Sequence, residues 1–229
     1  MSPDMATALR RDGRIAGALY LVVVLTGMFC LAYVPSQVGG SFANARAHQG
    51  LMGAGIAAFL VMQVAFLLLP LALYRVLSDV NHSAAVVMVA LAAVSVPIGL
   101  VAVTHRMEAL SLLAHAADGT LDAVEATFAQ CIARYGFGLD IASLFWGLWL
   151  LPFGWLVLRS GRIPRVLGLL LILGGVGYVV QVFADLAPGF EPPALVGYLR
   201  LPAAIGEIGS CLWLLVFGAR AGAGKISAS

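Results

Sequence analysis

The chain has 229 residues, 62% hydrophobic and 10% charged, with a mean hydropathy of +1.00 and a formal net charge of +2. Soluble domains carry about a quarter charged residues, so this composition argues against an ordinary soluble globule. The small net charge, and the lack of a Lys/Arg stripe with interleaved aromatics, leave no reason to expect a nucleic-acid partner.

In chain order the charges fall in short clusters between six apolar runs. A run of eighteen or more apolar residues reads as a membrane helix, because only a helix satisfies its own backbone away from water. Arg10, Arg11 and Arg14 precede the first run, predicted to span 15–36 and to stop near Pro35. It is too long for the apolar core of a typical signal peptide, so it reads as a retained span. A loop with Gly39, Gly40, Asn44, Arg46 and His48 follows, then span two at 50–77, then a tight turn over Ser78–His82. Span three covers 83–113 with Pro97 near its middle, a position that predicts a kink.

Residues 114–136 form the largest extramembrane piece. Within it Leu121, Val124, Phe128, Ile132 and Tyr135 recur at spacings of three and four, one helical face. Asp122 followed by Glu125 fits a helix start. A short amphipathic helix, lying on the bilayer or over the bundle, is expected there. Span four follows at 137–158, then a turn with Arg159, Arg162 and Arg165, then span five at 164–186. The proline-bearing loop 187–193 is expected to be ordered but not helical, span six covers 198–219, and the tail after Gly222 is small-residue sequence. Leu69-Pro70 and Leu151-Pro152, each shortly before a turn, form a weak internal echo of a two-helix unit.

Sorting the basic residues by side gives the orientation. With the N-terminus inside, Arg10, Arg11, Arg14, Arg75, Arg159, Arg162, Arg165, Arg220 and Lys225 are cytoplasmic, and Arg46, Arg106, Arg134 and Arg200 are not. That bias puts both termini in the cytoplasm, with 1–229 as one transmembrane domain.

The exceptions to this sorting are the candidate site. Glu207 lies about nine residues along span six, roughly 13 Å deep, where a charge needs a partner, water or a proton. Gly206, Gly209 and Ser210 beside it let another helix or a ligand approach. Asp140 enters span four, Gln181 and Asp185 share a face of span five, and His105, Arg106 and Glu108 lie high on span three. Arg200 stands two turns above Glu207, and Gln63 lies near mid-depth on span two. Glu207, Asp140, Arg106, Arg200, His105, Gln181 and Asp185 together predict an outward-facing polar cavity. The alternative is a set of helix–helix pairs such as Arg106–Asp185 or Arg200–Asp140. Trp146 and Trp149 sit too deep for an interfacial belt, so they read as packed core, lipid contact or pocket wall.

No paired-histidine or HExxH spacing points to a metal, no GxSxG to a nucleophile, and no deep histidine to haem. No cofactor is indicated. The cysteines Cys30, Cys131 and Cys211 show no paired spacing and read as buried apolar residues.

Four stretches carry a resemblance: GRIAGALYL at 13–21, ALYRVLSDVNHSAAVVMVAL at 72–91, FWGLWLLPFGWLVLRSGRIPRVLG at 145–168 and LPAAIGEIGSCLWLL at 201–215. Together they resemble a bacterial family of small six-span membrane proteins catalogued as domain of unknown function 4386. The resemblance implies an all-helical inner-membrane bundle and brings no activity or site residues with it.

The sequence therefore predicts an all-α, six-helix integral membrane bundle that binds or carries a small or lipid-like ligand. Its partners would be membrane lipids, a lipophilic small molecule, and further chains docking on small-residue faces at Gly168, Gly174 and Gly177. An intramembrane enzyme acting on a lipid or isoprenoid, with Glu207 or Asp140 as base, and an accessory subunit of a larger complex are the alternatives.

Overall fold

The computed structural model describes residues 3–39, 41–115, 121–186 and 198–220. Among them there is no strand. Helix α1 (Pro3–Gly27) passes through a π-helical stretch, Met28–Tyr33, into α2 (Val34–Val38). Helix α3 (Phe42–Ala47) forms an elbow before α4 (Gln49–Leu77). Then come α5 (His82–His115), α6 (Leu121–Ser160), α7 (Arg165–Asp185), a 3₁₀ turn (Tyr198–Arg200) and α8 (Leu201–Phe217).

Among the described residues, five helical stretches are long and apolar enough to cross a membrane: Asp4–Val38, Gln49–Leu77, His82–His115, Asp122–Ser160 and Arg165–Asp185. The predicted sixth span is a shorter apolar helix of 17 residues, Leu201–Phe217. Large apolar side chains such as Leu25, Val64, Val101, Phe137, Val166 and Phe183 face outward along these helices. An apolar exterior on this scale fits lipid and not water. The chain is an integral membrane protein.

The expected amphipathic helix between spans three and four is not set apart. Residues 121–160 form one unbroken helix, so the segment is the extension of span four. Part of its predicted face finds cover: Phe128 and Tyr135 are buried, and Phe128 meets Phe42 of α3 edge-on at 5.4 Å, while Ile132 is exposed. The elbow supplies that cover. Ser41 caps α3 by accepting from the Asn44 amide at 3.1 Å, and the Asn44 side chain donates to the carbonyls of Gln37 and Gly39. The loop 187–193 and the tail after Gly222 lie outside the described residues.

One end of the bundle is closed by a latch. The turn after α4 carries Asp79 and the turn after α6 carries Arg162. The guanidinium donates to both carboxylate oxygens of Asp79, at 2.6 Å from Nη1 to Oδ1, and to the Val76 carbonyl. Trp213 Nε1 donates to the Arg162 carbonyl at 3.2 Å, tying α8 to the same turn, and the Arg220 amide reaches that carbonyl as well. Gly161 and Gly218 adopt positive φ, 64° and 68°, where a side chain would be strained. Toward mid-height the core is aromatic: Trp149 stacks on Phe153 at 5.3 Å and meets Phe66 edge-on at 5.3 Å. Gln63 is also structural. Its amide donates to the Val96 carbonyl at 3.1 Å, beside Pro97, and Gly99 leaves the room.

The small-residue faces are used inside the chain. Gly168 lies against the Gly154 carbonyl of α6, Gly175 against the Gly147 carbonyl, and Gly174 against Ala203 of α8. All three cysteines are buried and free.

Candidate functional site

Two cavities divide the charged residues that the sequence groups together. The first lies between α1 and α8. At the latched end these helices touch so closely that neither Gly13, against Ala219, nor Gly17, against Leu214 and Leu215, has room for a Cβ. From Tyr20 onward, α1 instead lines a cavity of about 380 Å³ with Val23, Val24, Gly27 and Met28. Helix α8 contributes Ala204, Glu207 and Ile208, α6 contributes Trp146 and Trp149, α4 contributes Met62 and Phe66, and α7 contributes Tyr178.

Among the described residues Glu207 is the one charged group on this wall. The Tyr20 hydroxyl donates to its Oε1 at 3.0 Å, and no described hydrogen bond reaches Oε2. Tyr20 is fully buried and packs beside Trp149 and Phe153, so the phenol is fixed in place. A carboxyl with one free oxygen, set among aromatic rings away from water, binds a donor more strongly than it would in solution. The rings also suit a cationic head.

Arg200 stands behind this wall. Its guanidinium lies 4.9 Å from the centre of the Tyr178 ring, and its buried Nε has no partner among the described residues. Asp140, Gln181 and Asp185 are nearby but outside both cavities. Gln181 donates to Asp185 at 2.7 Å, and Asp140 is exposed within electrostatic reach of Asp185 and Arg200. Among the described residues neither Arg200–Asp140 nor Arg106–Asp185 forms an ion pair. His105 pairs with Glu108 on its own helix at 3.4 Å and faces a separate hollow with Arg134.

Arg106 belongs to the second cavity, about 550 Å³, beneath the α2–α3 elbow. The side chain is only 4% exposed. Its Nη1 donates to the Cys30 carbonyl and to the Tyr135 hydroxyl, both at 3.3 Å, and its guanidinium lies over the Tyr135 ring at 5.2 Å. The Cys30 carbonyl is available for a local reason. In the π-helical stretch the Val34 amide bonds Phe29 instead, and Pro35, the next donor in that register, has no N–H.

Of the seven candidates the structure brings Asp140, Gln181, Asp185 and Arg200 into one neighbourhood. It sets Glu207 in a cavity beside them, and Arg106 and His105 apart. Sequence reasoning missed Tyr20 as the partner of Glu207, although a phenol in mid-span needs a hydrogen-bond partner. It also missed Tyr135 as the partner of Arg106. Trp146 and Trp149, read as core, lipid contact or pocket wall, both line the Glu207 cavity. Among the described residues no three His, Cys, Asp or Glu side chains converge as metal ligands.

Comparison with curated proteins and with solved structures returned no match in either case. Residues 15–218 match the family described as Domain of unknown function (DUF4386). The match covers the bundle from α1 to the end of α8, and the chain belongs to this family of membrane proteins.

Proposed function

We propose that this membrane protein binds a lipophilic small molecule in the cavity between α1 and α8, with Glu207 anchoring its polar head. The observation that carries this reading is the setting of Glu207, one carboxyl on an aromatic and apolar wall, with Oε2 free of described hydrogen bonds. The ligand has an apolar body that fills the space between Trp146, Met28 and Ile208, and a head that donates a hydrogen bond or carries positive charge. Arg200, behind Tyr178, adds positive potential on the far side of the ring.

In this reading α8 is the sixth span, and the latched end is cytoplasmic, in a bacterial inner membrane. Its support is the clustering of Arg10, Arg14, Arg162 and Arg220 around that end: Arg14 reaches the Val216 carbonyl, and Gly218 lies against Arg10. The cavity then opens from the outer half of the bilayer.

Trp146 and Trp149 make the test direct. Lipophilic material extracted from the purified protein is identified by mass spectrometry and titrated back while tryptophan fluorescence is followed. Saturable change in the wild type, weakened about tenfold or more in Glu207→Gln, is expected for a lost charge-assisted bond. Identical titrations in the two proteins contradict the reading.

A further inference from the structure

The Arg106 cavity is independent of the Glu207 cavity, and its chemistry has the opposite sign. A guanidinium keeps its charge in a protein. Burying one in a membrane bundle without a counter-charge is strongly unfavourable. Arg106 is 4% exposed, and among the described residues no carboxylate lies within ion-pair distance of it. Its described hydrogen bonds use Nη1 alone and go to neutral acceptors. Nε and Nη2 are therefore left for something else, and the side chain lines a cavity of about 550 Å³.

Tyr135 adds a second donor at the same place. Its hydroxyl accepts from Arg106, which leaves its own proton free, and the residue lines the same cavity. The remaining wall is mainly apolar, with Phe42, Phe128 and Ile132 prominent. Glu125, also on the wall, is exposed and makes no ion pair with Arg106 among the described residues. Two donors at the base of an apolar hollow match an oxyanion attached to a hydrocarbon chain.

We propose that the cavity under the α2–α3 elbow binds an amphiphile with a phosphate or carboxylate head, held by Arg106 and Tyr135, with its chain along Phe42, Phe128 and Ile132. The head supplies the missing counter-charge. The π-helical stretch and Pro35 contribute by freeing the Cys30 carbonyl, which holds Nη1 and leaves the rest of the guanidinium for the ligand.

Calorimetry on the full chain in a non-ionic detergent tests this with three probes: dodecyl phosphate, 1-dodecanol and inorganic phosphate. Dodecyl phosphate is expected to bind at least about tenfold tighter than dodecanol, and inorganic phosphate weakly. Arg106→Gln should remove that preference. Because this change also touches the Cys30 contact, Ala129→Trp serves as a second variant: it fills the cavity from its exposed wall without touching the Arg106 bonds. It should lower dodecyl phosphate affinity by a similar factor. Equal binding of dodecanol and dodecyl phosphate overturns the oxyanion site. So does unchanged dodecyl phosphate affinity in both variants. Inorganic phosphate binding as tightly as dodecyl phosphate overturns the contact with the hydrocarbon chain and makes the source a free ion.

Discussion

The two ends of this bundle solve the same problem differently. At the latched end, the turns after α4 and α6 meet through Arg162 and Asp79, Trp213 ties α8 to them, and Gly13 and Gly17 bring α1 and α8 into backbone contact. The hollow found there is a groove along α1 beside Arg10, Arg11 and Arg14. At the other end α1 and α8 flank the Glu207 cavity, and a separate cavity beneath the α2–α3 elbow carries Arg106 on its wall. The difference teaches where function can sit. Close packing fixes the helices at one end; at the other, Glu207 and Arg106 line cavities while also bonding Tyr20 and Tyr135 of neighbouring helices.

Crowding the latched contact should have the largest effect. Gly17→Leu forces α1 away from Leu214 and Leu215, whose backbone leaves no space for a Cβ. A loss of about 1–3 kcal/mol is expected, read as a lower thermal midpoint in detergent. A thermal midpoint unchanged from wild type would mean that the two helices are free to separate at this end.

Breaking the latch itself is a smaller change. Asp79→Asn weakens a bidentate pair whose carboxylate is exposed and whose guanidinium is mostly buried, so about 1 kcal/mol is expected. The bond from Arg162 holds the Asp79 carboxyl below its ordinary range. A carboxyl whose folded value is depressed contributes stability above its unfolded value, about 4, and loses it as pH falls through the folded value. The gap in thermal midpoint between wild type and Asp79→Asn should thus be full at pH 6–7 and shrink below about pH 4. A gap that widens in acid contradicts the latch.

The smallest effect is expected at mid-height. Gln63→Leu loses the bond to the Val96 carbonyl but also removes a buried amide oxygen, Oε1, that has no partner among the described residues. These terms oppose one another, so a change within about 1 kcal/mol is expected from a melting curve. A larger loss would move Gln63 from helix staple to a polar network shared with the cavities.

Much of the fold was legible in the sequence, because a membrane span announces itself by length and apolar content alone. Helices α4, α5 and α7 end within two residues of the limits expected for the second, third and fifth apolar runs. Where a helix stops is harder to read. The amphipathic 121–136 stretch carries a helical period but no signal saying that it continues into span four, since Gly136 and Gly138 look like a boundary. The α3 elbow escaped notice because it is a helix of six residues with a Ser cap inside a loop-like composition. For the site, depth could be counted along each helix, so Glu207 and Arg106 stood out as charges inside apolar runs. Which way each points around the bundle could not be counted. Arg106 reaches the Cys30 carbonyl and Tyr135 beneath the elbow, whereas Glu207 meets Tyr20 of α1, so one expected cavity became two. Their partners, Tyr20 and Tyr135, come from helices distant in sequence, and no spacing rule connects them.

The central claim, that the wide end holds a ligand on Glu207, is tested most directly by native mass spectrometry of the protein released from mild detergent. The account predicts a lipophilic adduct on the wild-type chain that is absent or strongly depleted in Glu207→Gln, with the thermal midpoints of the two apo proteins alike. Equal adduct on both chains, or none on either, would contradict it.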